Sequence, residues 1–269
     1  MDIMNIGIIG LGVVGNACKS GFEKIGHIVK VHDVKLNTKI SDVLDTDICF
    51  VSVPTPANDD WSCNTTIVED VVKQMNDLKY DKPLCIKSTI EPGTIKTLRN
   101  KFPNLRLYFV PEFLRERCAE EDFIYNHNVL VIGAEDDDVY KLVKKTHGNL
   151  PTHIVQMKAS EAELVKYFSN SYKALRITFA NSFYELCKKL DARYDIVKDA
   201  FLFHGVGEGH YLNVNKEFGG FGGTCLPKDT KGLAYLSEKL GLDLNIFKMI
   251  VEENEKFVTK VPQGMRREI

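Results

Sequence analysis

The chain has 269 residues, a formal net charge of −2, 44% hydrophobic residues and 27% charged residues. That allows one large or two modest domains with a real core, and it offers no basic excess for nucleic acid or an anionic membrane surface. No apolar run approaches the ~18 residues needed to cross a bilayer, and the apolar, Gly-rich start from Met1 to Gly12 lacks the basic region of a signal peptide.

In chain order, short apolar runs predict strands at Asn5–Ile9, Ile28–His32, Asp47–Val53, Leu84–Ser88, Arg106–Val110, Val129–Ile132 and His153–Gln156. Amphipathic stretches between them predict helices at Val14–Ile25, Glu69–Leu78, Thr94–Lys101 and Asp136–Thr146. Asp136, Asp137 and Asp138 read as the acidic first turn of the last of these. Repeated strand–helix alternation predicts a doubly wound, mostly parallel sheet with helices on both faces.

The pattern changes near residue 157, where we place a domain boundary between residues 1–157 and 158–269. Ser160 to Glu163 reads as an S-x-x-E capping box, opening a long helix that extends to about Leu190. Further helices are predicted at Asp195–Phe203, Pro227–Leu240 and Leu244–Val258, with a Gly-rich loop from Gly205 to Gly223. Tyr172 and Phe179 lie on an apolar stripe of the long helix.

Gly10-Leu11-Gly12-Val13-Val14-Gly15 is a G-x-G-x-x-G between a predicted strand and a predicted helix, the context of a dinucleotide fingerprint. Gly10 makes the turn, Gly12 lets the backbone approach a pyrophosphate, and Gly15 allows close helix packing. The free N–H groups of the first helical turn, around Val14, then face phosphate. Asp33 ends the next strand, where a carboxylate accepts from ribose hydroxyls and repels a 2′-phosphate, which favours NAD over NADP.

The seven cysteines are scattered and form no CxxC pair, which argues against a disulfide framework or zinc site and for a reducing, cytoplasmic setting. No metal-ligand spacing is found. Cys225 stands apart from the rest. It lies in the Gly-rich loop just before Pro227, a residue that marks a helix start, and a helix N-terminus with Lys228 nearby favours a thiolate. Asp229 falls one turn further on. Lys166 and Asn170, four residues apart on the long helix, share a face and could stabilise an alkoxide. Glu112 and Glu116 follow a strand end, where open α/β sheets bind ligands.

Five segments carry a resemblance: Val53-Pro54-Thr55-Pro56, Lys87-Ser88-Thr89-Ile90-Glu91-Pro92-Gly93-Thr94, Pro111-Glu112-Phe113-Leu114-Arg115-Glu116, Glu163-Leu164-Val165-Lys166-Tyr167 through Asn170, and Phe221-Gly222-Gly223-Thr224-Cys225-Leu226-Pro227-Lys228-Asp229. In this order they resemble the UDP-glucose 6-dehydrogenase family. The resemblance implies a Rossmann-type NAD domain, a helical dimerisation domain, and oxidation of a nucleotide sugar by two hydride transfers through a Cys225 thiohemiacetal and thioester. It further implies that Thr55, Thr89, Glu116 and Lys228 join the glycine turn and Asp33 at the cofactor. Glu112, Lys166, Asn170 and Gly222 would contact substrate. Glu116 would act as base, Thr89 would hold a water or touch the nicotinamide, and Asp229 would position a water.

The sequence also departs from that family. The resemblance implies a third, C-terminal domain that helps hold the nucleotide, whereas this sequence ends soon after Leu244–Val258, so substrate affinity is expected to suffer. The family's loop arginine is missing between His204 and Pro227, leaving His210 or Lys216 in its place, and its Asn-Glu after the middle of the long helix reads Asn181-Ser182. Two other readings fit the same elements: a two-domain β-hydroxyacid dehydrogenase, and an NAD-binding dimer-forming remnant without activity. The first leaves Cys225 and the Lys228-Asp229 pair unexplained.

Overall fold

Apolar runs bounded by turn residues become strands, and they do so here at β1 (Asn5–Ile9), β2 (Ile28–His32), β3 (Ile48–Val51), β4 (Leu84–Ile86), β5 (Leu107–Phe109), β6 (Val129–Gly133) and β7 (His153–Met157). The computed structural model describes residues 2–205, 209, 211–214, 219–223 and 225–257. The strands form one sheet in the order β2-β1-β3-β4-β5-β6-β7. Pairing is parallel except between β5 and β6, which meet antiparallel at Phe109 and Gly133. The sheet is therefore mixed at one joint, which strand–helix alternation alone does not reveal.

Helices α1 (Val13–Lys24), α2 (Thr66–Asp77), α3 (Thr94–Lys101), α4 (Ala119–Ile124) and α5 (Asp137–His147) cover the sheet, followed by the long α6 (Ala159–Lys189). One face packs Val68, Val72 and Met75 of α2, Ile95 and Leu98 of α3, and Ala159 and Ala162 of α6. The other packs Ala17 and Phe22 of α1, Phe123 of α4, and Val139 and Val143 of α5. Central strands buried on both sides need continuous apolar runs, and Ile48-Cys49-Phe50-Val51 is wholly buried.

The predicted capping box does not form. Glu163 instead accepts the Gly93 and Ile95 N–H groups at 2.7 and 2.9 Å, capping the start of α3 from a distant helix. Burial raises its carboxyl above the ordinary range despite those two bonds. At the start of α6, Glu161 accepts the Lys158 N–H at 2.8 Å.

The chain packs as two units: residues 2–56 with 64–166, and residues 57–63 with the described residues from 167 onward. The second unit holds the rest of α6, α7 (Tyr194–Phe203), α8 (Leu226–Lys239) and α9 (Ile246–Asn254). Its small cores gather Ala180, Cys187, Tyr194 and Leu212, and Ala174, Phe221 and Ile250. The loop 57–63 closes through a bridge between Ala57 and Cys63, and Lys231 of α8 sits 5.2 Å above the Trp61 ring. Among the described residues no helix is long and apolar enough to cross a membrane. The position of Val258 falls outside them.

Behind β3, the first unit packs buried His147 and half-buried His127 among Phe22, Phe50 and Phe123, with buried His27 on the same unit. The His147 ring lies 5.1 Å from Phe22, and His127 lies 5.0 Å from Phe123. One ring nitrogen of each histidine is buried without a partner. The Lys87 ammonium, over Phe50 at 5.4 Å, adds a nearby charge. Burial first, and Lys87 second, push His127 down to about 4 and His147 well below its ordinary value. These folded-state values lie below the unfolded value near 6.5. Stability is therefore full above that pH and is lost as pH falls toward 4. For His127 the drop from 6.5 to about 4 corresponds to roughly 3 kcal/mol at pH 4. Urea midpoints should be flat above pH 7 and fall between 6.5 and 4, with a shallower fall in His127→Phe; an equal slope in that variant would remove the histidine from the account.

Candidate active site

The first unit carries a built dinucleotide turn. The strand order reverses between β1 and β3, and the crevice at their carboxyl ends is where open α/β sheets take ligands. Gly10 has φ +91, and a Cβ there would come within 2.5 Å of the Ser52 carbonyl oxygen. A Cβ on Gly15 would meet the Gly10 carbonyl oxygen at 1.9 Å, so the helix can approach the strand only with glycine. At Gly12, the N-cap of α1, a Cβ would meet nothing within 4 Å, which leaves room for a ligand's approach. The first N–H groups of α1, including that of Val14, have no intrahelical acceptor. Asp33 accepts the Leu11 N–H at 2.7 Å and the Lys35 N–H at 2.8 Å. These bonds hold its carboxyl below the usual range and fix it beside the turn.

Two positioning groups escaped the sequence reading. Asn16 donates to the Leu11 and Gly12 carbonyls at 2.6 and 3.0 Å, bracing the glycine turn. The Ser88 hydroxyl accepts the Val53 N–H at 2.9 Å and donates to the Val53 carbonyl at 2.8 Å. It thereby fixes the loop that carries buried Thr55. Thr89 follows at the end of β4, half-buried. Local pattern could not flag either brace, because Asn16 looks like any helix-start residue and the partner of Ser88 lies 35 residues away.

At the end of β5 the chain turns through Pro111 and Glu112. Lys166 donates to the Glu112 carbonyl at 2.7 Å and to Glu112 Oε1 at 2.9 Å, with only 4% and 11% of the two side chains exposed. Glu112 Oε2 accepts the Leu114 N–H at 2.7 Å. Burial alone would raise this carboxyl, but the Lys166 charge and these bonds outweigh it and hold it low. The Val110 carbonyl just before accepts from buried Lys87 at 3.2 Å. Glu116 begins a short 3-10 helix, Glu116–Cys118, half-buried.

In the second unit Cys225 is the N-cap of α8, with Pro227 in the first turn, as the sequence predicts. It is exposed, whereas Cys18, Cys49, Cys63, Cys85 and Cys187 are buried and Cys118 is half-buried. Burial pushes the Cys18 and Cys85 thiols up to about 11 and about 12, which keeps them protonated and inert. Asp229 is fully buried. Its Oδ2 accepts the Asn170 amide at 2.5 Å, and its Oδ1 lies 2.7 Å from Lys228 Nζ. Gly222 is half-buried in the loop before Cys225. His210 and Lys216 lie outside the described residues. No group of three or more His, Cys, Asp or Glu side chains among the described residues could hold a metal.

Comparison with known proteins identifies the arrangement. Residues 33–150 match the UDP-glucose/GDP-mannose dehydrogenase family, NAD binding domain, and residues 160–256 match the same family's central domain. The UDP-glucose 6-dehydrogenase of Rickettsia typhi is 30% identical over 94% of this chain and 67% of its own length. That of Campylobacter jejuni is 35% identical over 79% of this chain and 55% of its own length. A UDP-glucose dehydrogenase structure from Pyrobaculum islandicum superposes with a TM-score of 0.86 at 28% identity, covering 95% of this chain and 68% of that one. This chain thus spans about two thirds or less of its relatives' length. The glycine turn and Asp33 fit the cofactor that the matched domain binds, and NAD is the cofactor.

Removing one partner of a buried pair strands the other charge, at a cost of about 3–5 kcal/mol. Glu112→Leu should lower unfolding free energy by that order in urea titration. Glu112→Leu with Lys166→Met should recover most of it. Additive losses in the double variant would show that the two side chains are not coupled.

Proposed function

The chain belongs to the UDP-glucose/GDP-mannose dehydrogenase family, and from that premise we propose that it oxidises UDP-glucose to UDP-glucuronate with two NAD per sugar. The observation that carries this reading is the exposed Cys225 thiol at the N-cap of α8, next to the Asn170–Asp229–Lys228 cluster of the same unit. A single oxidation of an alcohol needs no thiol. An oxidation that continues to the acid benefits from one, because a covalent hemiacetal retains the aldehyde and presents a second C–H bond.

The dinucleotide is held by Gly10, Gly12, Val14, Gly15 and Asp33, with Thr55, Thr89, Glu116 and Lys228 completing its contacts. Bound NAD supplies the hydride acceptor for each oxidation. In the first, the primary alcohol carbon loses a hydride while its hydroxyl proton passes to a base, giving an aldehyde. The Lys166 ammonium and Asn170 amide stabilise the alkoxide that precedes it. The Cys225 thiolate then adds to the aldehyde carbon, forming a C–S bond and a thiohemiacetal. Loss of the second hydride and of the hydroxyl proton leaves a thioester. Water, activated by Glu116, attacks that carbon, the C–S bond breaks, and a carboxylate and the thiolate are released. Glu112 aims Lys166, and Gly222 lets the loop backbone approach the sugar. Asp229, which accepts the Asn170 amide through Oδ2 and lies beside Lys228, orients that amide.

The helical unit also supports association of two copies. On α6, Phe168, Tyr172 and Phe179 are 73%, 52% and 59% exposed, and Phe183, Leu186 and Leu190 continue the stripe. Apolar side chains spaced by three and four residues along one helix suit a matching helix from a second copy.

Incubation with NAD and a panel of UDP-sugars should yield two NADH per UDP-glucose consumed, with at least about a hundredfold lower rate in Cys225→Ser. One NADH per substrate, with the serine variant unimpaired, would support a β-hydroxyacid-type reaction instead. No turnover with any sugar, in a protein that binds NAD, would support the inactive remnant. Light scattering should report twice the 30.4 kDa chain mass, and Phe168→Glu with Phe179→Glu should reduce it to one copy; a monomeric unmodified chain would refute the interface.

A further inference from the structure

The sequence motif around Cys225 explains which residues surround the thiol, but not what holds the glycine-rich segment before it in place. Glycine backbones have the most conformational freedom to lose. Here Gly219 and Gly223 both adopt positive φ, at +68 and +78, one of several conformations open to glycine. Phe221 lies between them, and its ring is buried with Ala174 and Ile250.

Its backbone is held as well. Asn254, the last residue of α9 and 9% exposed, accepts the Phe221 N–H through Oδ1 at 2.7 Å and donates from Nδ2 to the Phe221 carbonyl at 3.0 Å. One side-chain amide thus satisfies both polar groups of one backbone residue, as a neighbouring strand would. A second observation points to the same clasp. A Cβ at Gly220 would come within 2.1 Å of Asn254 Oδ1, so glycine is required there because the amide occupies the space. No positive φ demands glycine at that position.

We propose that Asn254 is a positioning residue for the Cys225 thiol: its amide, seated against Gly220 and clamped onto the Phe221 backbone, sets the path of the loop into the N-cap of α8. This rests on the reading of Cys225 as the covalent nucleophile. Only an amide serves in this place. Aspartate keeps the acceptor for the Phe221 N–H but faces the Phe221 carbonyl with a second acceptor, and leucine satisfies neither group.

The test is a double-mutant cycle on the full chain with Asn254→Ala, Gly220→Ala and the pair together, plus Asn254→Asp as a variant that keeps one bond. Thermal melting confirms folding. The two readouts are NADH formation from UDP-glucose and the rate of iodoacetamide labelling at Cys225, followed by mass of its peptide. Each single substitution should lower kcat about tenfold and change the labelling rate at least threefold. Asn254→Asp should fall between these and the unmodified protein. In the double variant the alanine at 254 leaves room for the methyl at 220, so its kcat should match Asn254→Ala rather than show a hundredfold loss. Folded single variants with unmodified kcat and labelling, or effects that multiply, overturn the proposal. The labelling rate needs no turnover, so a protein inactive on nucleotide sugars still decides the role of Asn254, and the failure of the substrate reading is seen separately.

Discussion

A buried ammonium has to be matched by a carboxylate, and the first unit is organised around one such match. Lys166 on α6 is bound by both the carbonyl and the side chain of Glu112, which in turn holds the Leu114 N–H. The pair ties the carboxyl end of β5 to the helix that carries Lys166. Lys87 secures the residue just before it through the Val110 carbonyl. The electrostatic cost of hiding these charges is offset only while the geometry is kept, which makes the strand end stiff. Positive charge is thereby held in a dry place, where its field is screened far less than it would be in water.

The two polar residues of α6 divide their partners. Lys166 is paired with Glu112, and Asn170 with Asp229. A lysine and an asparagine one turn apart could have shared a single acid. Separate acids let each be oriented independently, and they leave the second amide hydrogen and the carbonyl oxygen of Asn170 uncommitted by that bond. Lys228 beside Asp229 balances a charge that would otherwise be isolated in a fully buried position.

Much of this could be read from the chain. The glycine turn, Asp33 and the position of Cys225 at a helix start are local features, in which neighbours along the sequence supply the geometry. The long helix was equally legible from its apolar spacing. What could not be read depends on distant partners. Ser160 and Glu163 have the spacing of a capping box, but Glu163 is taken up by α3, where Gly93 lies 70 positions earlier in the chain. Tertiary satisfaction of a buried helix start outweighed a local option that solvent could replace. Antiparallel pairing of β5 with β6 was hidden for a similar reason, since its strands look like their parallel neighbours. Short α4 fell below the length at which periodicity speaks. Asn254 had no signal at all, because an asparagine near a helix end is common and only the folded loop reveals its use.

The loop 57–63 interrupts the chain of the first unit and packs with the second, and it holds the chain's single tryptophan. The indole lies under the Lys231 ammonium on α8, the helix that Cys225 caps. At tryptophan-selective excitation, emission from this protein therefore originates at one address, and the large sheet is dark. A shift of that ammonium above the ring alters the colour or yield of the light, so the molecule carries its own optical gauge of the helix behind the thiol, with no dye attached.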